Sequence, residues 1–286
     1  MKIIIAFLIS VVLFSCTSPR FVNSPTAYNA NFFKEKGDFK ISASGSMNLN
    51  RVVEEESDDN HRERSFGADF QAAYAVTDHF LVTAGGLFRK ETDKFYWDDL
   101  ISSNTENKVR YNRYLLDIGL GYYTAMGRSK KHFFNLTGGL GFGKASHTDN
   151  GFPDLRSRTY DVNVLKYYLQ PAFNFGFSES FKMSIAPKIS ALNFNNIKST
   201  YLPGEGEMLG LNNVRGNTFI MFEPSVLFQV GFKNAEWIKI DIGLNFSTNP
   251  TNRLFNDIDS EGENLHSRNF LFSLGTSFYP FAGRNR

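Results

Sequence analysis

The sequence predicts an all-β chain folded as a closed, antiparallel, up-and-down barrel of ten membrane-crossing strands, and three observations predict it. Apolar and polar residues alternate with a period of two from residue 38 onward, the spacing of strands with one greasy face. No long run of helical period competes with that alternation. The connections are short and long by turns, as in a membrane barrel with tight turns at one end and long loops at the other. Eight or twelve strands are the alternatives.

Ahead of the strands, Lys2 is followed by a largely apolar run from Ile3 to Phe14 and then by Ser15-Cys16. About a dozen apolar residues are too few for a spanning helix, which takes about 20, so residues 1–15 read as a secretory signal. Cys16 is the chain's only cysteine, which leaves no partner for an intramolecular disulfide. The competing reading is an ordinary signal peptide with an incidental cysteine. Residues 16–37 turn to Ser, Pro, Asn and Thr, with Pro19, Pro25 and Phe32-Phe33 among them, and predict a tether. The alternative is that its aromatics plug or brace the barrel mouth.

The barrel proper is expected over 38–281, with 282–286 as a tail. In 38–50, Phe39, Ile41, Ala43, Met47 and Leu49 share one face and Lys40, Ser42, Ser44, Ser46 and Asn48 the other. Segments 65–77, 80–91, 111–124 and 133–146 continue the pattern, the second in weaker phase. In the second half, 164–177, 181–195, 218–231, 237–248 and 269–281 complete ten. Short connections fall at Asp78-His79, 125–131, 178–180 and 233–236. Long polar ones fall at 51–64, 92–110, 147–159, 196–217 and 249–268. Five long loops and four short turns put both barrel ends on one side. A soluble sandwich also alternates, and it is the alternating loop lengths that favour the membrane.

Aromatics near the strand ends, Tyr74, Tyr122, Tyr123, Tyr160, Trp237 and Tyr279, predict interfacial girdles. Pro171, Pro187 and Pro224 fall inside strands, where each removes a ladder donor.

Three stretches carry a resemblance. Leu13-Phe14-Ser15-Cys16 resembles a bacterial lipobox, which implies cleavage before Cys16 and its acylation. Phe278-Tyr279-Pro280-Phe281 resembles the aromatic last strand that outer-membrane barrel assembly machinery recognises, although the chain ends on Arg284-Asn285-Arg286. From Cys16 through Phe281 the chain resembles the lipoprotein β-barrels of Bacteroidota outer membranes, most closely over Lys34-Glu35-Lys36-Gly37-Asp38-Phe39 to Gly45. The resemblance implies a monomer in contact with outer-membrane lipids, both termini periplasmic, and acyl chains in the inner leaflet.

With 31 Lys+Arg against 29 Asp+Glu, no global field points to nucleic acid. An outward greasy face turns Lys40, Asp69, Asp117, Lys166, Lys182, Lys188, Glu223, Lys239 and Asp241 into the lumen. Mixed signs in a narrow barrel pair and fill it, which predicts a plugged or very narrow lumen. The loops offer Asp58, Asp59 and His61, then His147 and Asp149, then Asp257, Asp259, Glu261 and His266. Only a pairing such as His147 with His266 and a carboxylate suggests a metal or an activated water, and no spacing is diagnostic. Gly138 to Gly143 lies within an alternating strand with no helix behind it, so it is no phosphate loop. No cofactor, metal site or catalytic residue is assigned. Three function classes remain, in this order: a structural or interaction protein whose outer loops meet an extracellular ligand, a narrow porin-like channel, and a loop-based hydrolase. The acidic 54–59 and Phe95-Tyr96-Trp97 are the candidate contact surfaces.

Overall fold

The computed structural model describes residues 20–28, 30–48, 61–99, 102–128, 131–150, 156–209, 211–214, 216–232, 235–248, 265–268 and 270–280. Residues 1–19, with Cys16, lie outside them, as do 54–59 and the carboxylates Asp257, Asp259 and Glu261.

Period-two sequence becomes strand throughout. In chain order these are β1 (Arg20–Asn23), β2 (Phe39–Met47), β3 (His61–Ala75), β4 (Phe80–Asp99), β5 (Ser102–Met126), β6 (His132–Asn150) and β7 (Ser157–Gly176). There follow β8 (Phe181–Ala186), β9 (Ile189–Ser199), β10 (Thr218–Phe222), β11 (Ser225–Phe232), β12 (Ala235–Phe246), β13 (Leu265–Ser267) and β14 (Phe270–Phe278). One turn of helix, α1 (Pro203–Met208), and a 3-10 turn (Leu211–Val214) stand between β9 and β10.

Twelve of these pieces form one antiparallel sheet, from β10-β9-β7 round to β2-β14-β12-β11-β8, and a further β7–β8 pairing closes it. β8 and β9 are halves of one wall strand broken at Pro187-Lys188, and β10 and β11 are halves of another broken at Glu223-Pro224. Twelve pieces with two such breaks make ten wall strands. The molecule is therefore a closed ten-stranded barrel, joined between its first and last wall strands, with Phe272 opposite Met47 and Phe278 opposite Ile41.

The greasy face points outward. In β5, Leu116, Ile118 and Leu120 are 67%, 61% and 72% exposed, while Arg113 and Leu115, just before them in the opposite phase, are 6% and 8%. Phe66, Phe70, Phe88, Phe142, Leu169, Phe173, Ile189 and Leu274 extend the same exposed belt around the wall. An apolar belt of this extent is covered by hydrocarbon, since water would leave it unstable against association. Tyr114 and Tyr122, both outward in β5, are eight residues apart, roughly 26 Å of strand before tilt. At the tilt of about 35–45° usual for barrel strands this is about 18–21 Å of height, most of a lipid-facing band about 25 Å tall. Near the short turns Tyr122 packs on Phe80 and on His79, and Trp237 stacks on Phe278.

The girdle expectation needs correction at three positions. Tyr123 and Tyr160 are buried on the lumen side, and the Tyr279 hydroxyl donates inward to Gln229 Oε1 at 3.2 Å. Each sits one residue out of phase with the outward set, and phase overrides nearness to a strand end. Two long "loops" are also sheet. β4 and β5 stay paired from Phe80–Tyr122 to Asp99–Ser102, and β6 with β7 to Asn150–Ser157, because the chain keeps alternating after it leaves the apolar band.

The three strand prolines occupy one row. Phe173 faces Ile185 and Leu169 faces Ile189, so Pro171 is opposite Pro187. Ser225 faces Ala186 and Phe222 faces Ile189, so Pro187 is opposite Pro224. Lys188 and Glu223 exchange both backbone bonds (3.2 and 2.7 Å), which turns the Pro187 backbone toward Pro171. Neither proline has an N–H, so that pair exchanges no ladder bond. Pro224 still accepts from Phe246 N at 2.9 Å. By strand phase all three rings point to lipid.

Both barrel ends lie at the short-turn end, where Gly37 N donates to Ala75 O and Tyr279 N to Trp237 O. The segment before β2 does not stay there as a tether. It runs up through the lumen, and β1 pairs in parallel with β13 at the long-loop end.

Candidate functional site in the filled lumen

An eight-stranded barrel is filled by its own side chains, and sixteen strands leave a channel. Ten strands leave room for one extended chain. Here that chain is the protein's own segment from Asn23 to Phe33. An irregular backbone at membrane depth needs every polar group satisfied by the wall. Arg89 Nη2 donates to Pro25 O at 3.2 Å, Gln71 Nε2 to Ala27 O at 2.6 Å, and Lys40 Nζ to Ala30 O at 2.5 Å. Asn135 Nδ2 donates to Asn31 O at 2.8 Å. In return Ala27 N donates to Asp69 Oδ1 at 3.1 Å and Tyr28 N to Asn245 Oδ1 at 3.0 Å. We call this segment the strap.

Toward the short turns the strap ends in aromatics. Phe33 meets Tyr123 edge-on, with ring centroids 6.0 Å apart, in a buried cluster with Ala73, Ala75 and Leu81. Phe32 meets Phe133 edge-on at 6.5 Å beside Leu227, and Lys182 Nζ lies 4.6 Å over the Phe32 ring. Lys239 donates to Glu179 O at 3.0 Å. Asp241 accepts from Gln229 at 2.8 Å and from Ser277.

At mid-height Glu223, 1% exposed, accepts from Lys166 at 2.7 Å and from Ser190 at 2.6 Å, with Lys188 Nζ at 3.4 Å. Lys188 also reaches strap residue Thr26, and Asn23 reaches Glu223 at 3.4 Å. The proline row brackets this cluster. Pro187 and Pro224 flank the Lys188–Glu223 pair, so the break in the ladder coincides with the densest inward charge. Across the lumen Asp117 accepts from Tyr168 at 3.4 Å. Inward-facing Gly119 and Gly139 leave the space that the Tyr168 ring and hydroxyl occupy, and a Cβ at either would collide with them. Between strap and wall there remains a cavity of about 60 Å³, lined in part by Gln71, Thr83, Asp117, Lys166, Tyr168 and Lys188.

Toward the long loops lies a lattice of buried ions. Arg89 pairs with Asp69 at 2.8 Å, Arg113 with Glu91, and Arg268 with both Asp93 oxygens at 2.6 and 2.8 Å. Arg268 N also donates to Asn23 O at 3.1 Å, fastening the upper end of the strap. Beside it the 196–217 connection folds inward as a cap. Tyr201, Leu209, Leu211 and Val214 pack on the inward residues Tyr160, Val162, Leu192, Phe194, Phe219 and Met221. The Arg158 fork clamps α1 by donating to both oxygens of Glu205 at 2.8 and 2.6 Å, which holds the Glu205 carboxyl below its usual value.

Of the charges assigned to the lumen, Lys40, Asp69, Lys166, Lys188, Glu223, Lys239 and Asp241 are buried, Asp117 lines the cavity beside the strap and Lys182 lies over the Phe32 ring, while Cys16 lies outside the described residues. His147 and Asp149 are buried beneath the cap rather than displayed on a loop. His147 Nε2 is 3.2 Å from the Tyr201 hydroxyl, its ring stacks on Tyr160, and Tyr201 donates to Asp149 Oδ2 at 3.0 Å. His266 is in β13, paired with Phe21. Among the described residues no group of three or more His, Cys, Asp or Glu is placed to hold a metal. Sequence reading missed Arg89, Glu91, Asp93, Arg113 and Arg268. The signal was present for the first four, since all share the odd-numbered, inward phase of β4 and β5.

No family model and no curated protein matches the chain. Among solved structures it is similar to the translocator domain of autotransporter NalP from Neisseria meningitidis, at 9% identity and a TM-score of 0.47 over 88% of this chain and 89% of that one. The outer membrane protease OmpT from Escherichia coli is 12% identical, with a TM-score of 0.43 over 85% and 94%. The outer membrane protein OprG from Pseudomonas aeruginosa is 10% identical, with a TM-score of 0.36 over 87% and 98%. Likeness at these scores says nothing about activity, and the barrel assignment rests on the closed sheet and its outward apolar belt.

Proposed function

We propose that this chain is a non-conducting outer-membrane barrel lipoprotein, acylated at Cys16, whose work is structural or is done by its outer loops on an extracellular ligand. The observation that carries the reading is the strap. A segment hydrogen-bonded to the wall along its length, capped above by an apolar cluster, supports a barrel closed to solutes. Short turns face the periplasm in this reading and long loops the exterior; the barrel assembly machinery inserts the chain, which works as a monomer among outer-membrane lipids. The reading assigns no enzymatic role, because His147 and Asp149 are engaged with Tyr201 beneath the cap.

Planar-bilayer recording tests it. The purified full-length protein is expected to show no large, stable open steps, and a variant lacking residues 23–33 is expected to show them. Stable steps from the intact protein overturn the closed barrel. Acylation is read separately, as loss of metabolic fatty-acid labelling on Cys16→Ala.

A further inference from the structure

We infer that the chain is threaded through its own barrel, so that its N-terminus leaves on the same face as the long loops, opposite the end where the wall begins and finishes. Three sets of contacts fix the direction of the strap. At the lower end, Lys36 N donates to Asp78 Oδ1 in the first short turn at 2.9 Å, and Phe33 sits beside Tyr123, whose hydroxyl donates to Thr77 O at 2.8 Å. At mid-height, Ala27 is held by Asp69 and Gln71. At the upper end, Asn23 accepts from Arg268 N, and Arg20 and Phe21 face Leu265 and His266 in β13.

β13 follows the long connection after β12 and precedes the downward strand β14, which places it at the long-loop end. β1 runs parallel to it, so chain order along the strap is from long-loop end to short-turn end. The reach agrees. From Asn23 to Phe33 is ten residue steps, up to about 33 Å of extended chain, enough for a hydrocarbon core of about 30 Å.

This replaces the sequence expectation of a tether hanging from the short-turn end. Where the lipoprotein reading holds, it also changes the leaflet. Cys16 is four residues ahead of Arg20, within about 14 Å of it even fully extended. Its acyl chains are then delivered to the leaflet on the long-loop side.

The test uses the full chain in cells, with a membrane-impermeant maleimide and three variants that each add one cysteine. Ser18→Cys reports the N-terminus, Glu207→Cys the long-loop end and Glu179→Cys the short-turn end. The parent chain gives the background from Cys16, and heat-modified gel mobility shows which variants are folded. Ser18→Cys is expected to label whenever Glu207→Cys does and to stay at background whenever only Glu179→Cys labels. Labelling of Ser18→Cys together with Glu179→Cys while Glu207→Cys stays at background, or no labelling of it after permeabilisation, overturns the inference. Should Glu179→Cys be the accessible one on intact cells while Ser18→Cys still follows Glu207→Cys, the threading stands and the proposed orientation fails. Pro19→Cys repeats the measurement if Ser18→Cys does not fold.

Discussion

Two neighbouring stretches of this barrel's wall are built on different terms. From β4 to β6 the ladder is continuous, pairing Phe80 with Tyr122 and running without a break to Trp97–Thr105. Its inward face is glycine, tyrosine and buried ions. From β7 round to β11 two of the three wall strands, β8/β9 and β10/β11, come in pieces, three prolines share a row, and the upper inward face is apolar enough to need a cap. A wall with a complete ladder takes its interior filling from small side chains and a strap. A wall with an interrupted ladder is held instead by what lies inside it, the Glu223 cluster and the cap.

Removing the interior support is expected to hurt the broken wall most. Glu223→Ala leaves Lys166 and Lys188 buried beside an empty site, and breaking a buried ion pair from one side costs about 3–5 kcal/mol. A large fall in the urea midpoint or in the temperature of gel-mobility change is expected. The continuous wall is vulnerable to bulk. Gly139→Val pushes a side chain into the Ile118 carbonyl and the Tyr168 ring, and overpacking of this kind costs about 1–3 kcal/mol. The same substitution at outward Gly138, whose nearest neighbours leave ordinary contact distance, is expected to be nearly silent on the same gel.

Restoring the ladder sharpens the contrast from the other side. The double variant Pro171→Ala, Pro187→Ala regains two donors facing each other, worth about 0.5–1.5 kcal/mol per net hydrogen bond. Its gel-mobility temperature should rise, and a fall would mean that the prolines are needed for the shape of the Glu223 cluster. The smallest effect is expected at the cap. Arg158 holds the Glu205 carboxyl low, so the clamp's contribution is present above the unfolded value of about 4.3 and disappears as pH falls through the folded one. Limited proteolysis within 203–214 should therefore accelerate toward pH 3, and in Glu205→Gln it should already be fast at pH 7.

Fold, strand number and sidedness were legible because lipid rewards a strict period of two, and the outward Phe, Leu and Ile obey it. The ends of β4 and β5 were not legible. Past the membrane both faces of a hairpin meet water or other polar groups, and polar alternation looks like a loop. Tyr123, Tyr160 and Tyr279 misled because closeness to a strand end says less than odd or even position. The strap left no periodic trace, since most of its contacts are made by its backbone to Arg89, Gln71, Lys40 and Asn135. The cap was hidden in a stretch that is polar on average, where Tyr201, Leu209, Leu211 and Val214 are spaced by turn geometry.

A segment encircled by a wall whose seam joins β2 to β14 imposes an order of events. The last strand to be made completes the ring, so the first part of the chain must already be in place when the ring shuts, or be drawn afterwards through an opening about one chain wide. A bulky group at the leading end would forbid the second route. The join between β2 and β14 thus acts as a clasp that fixes when the occupant must arrive.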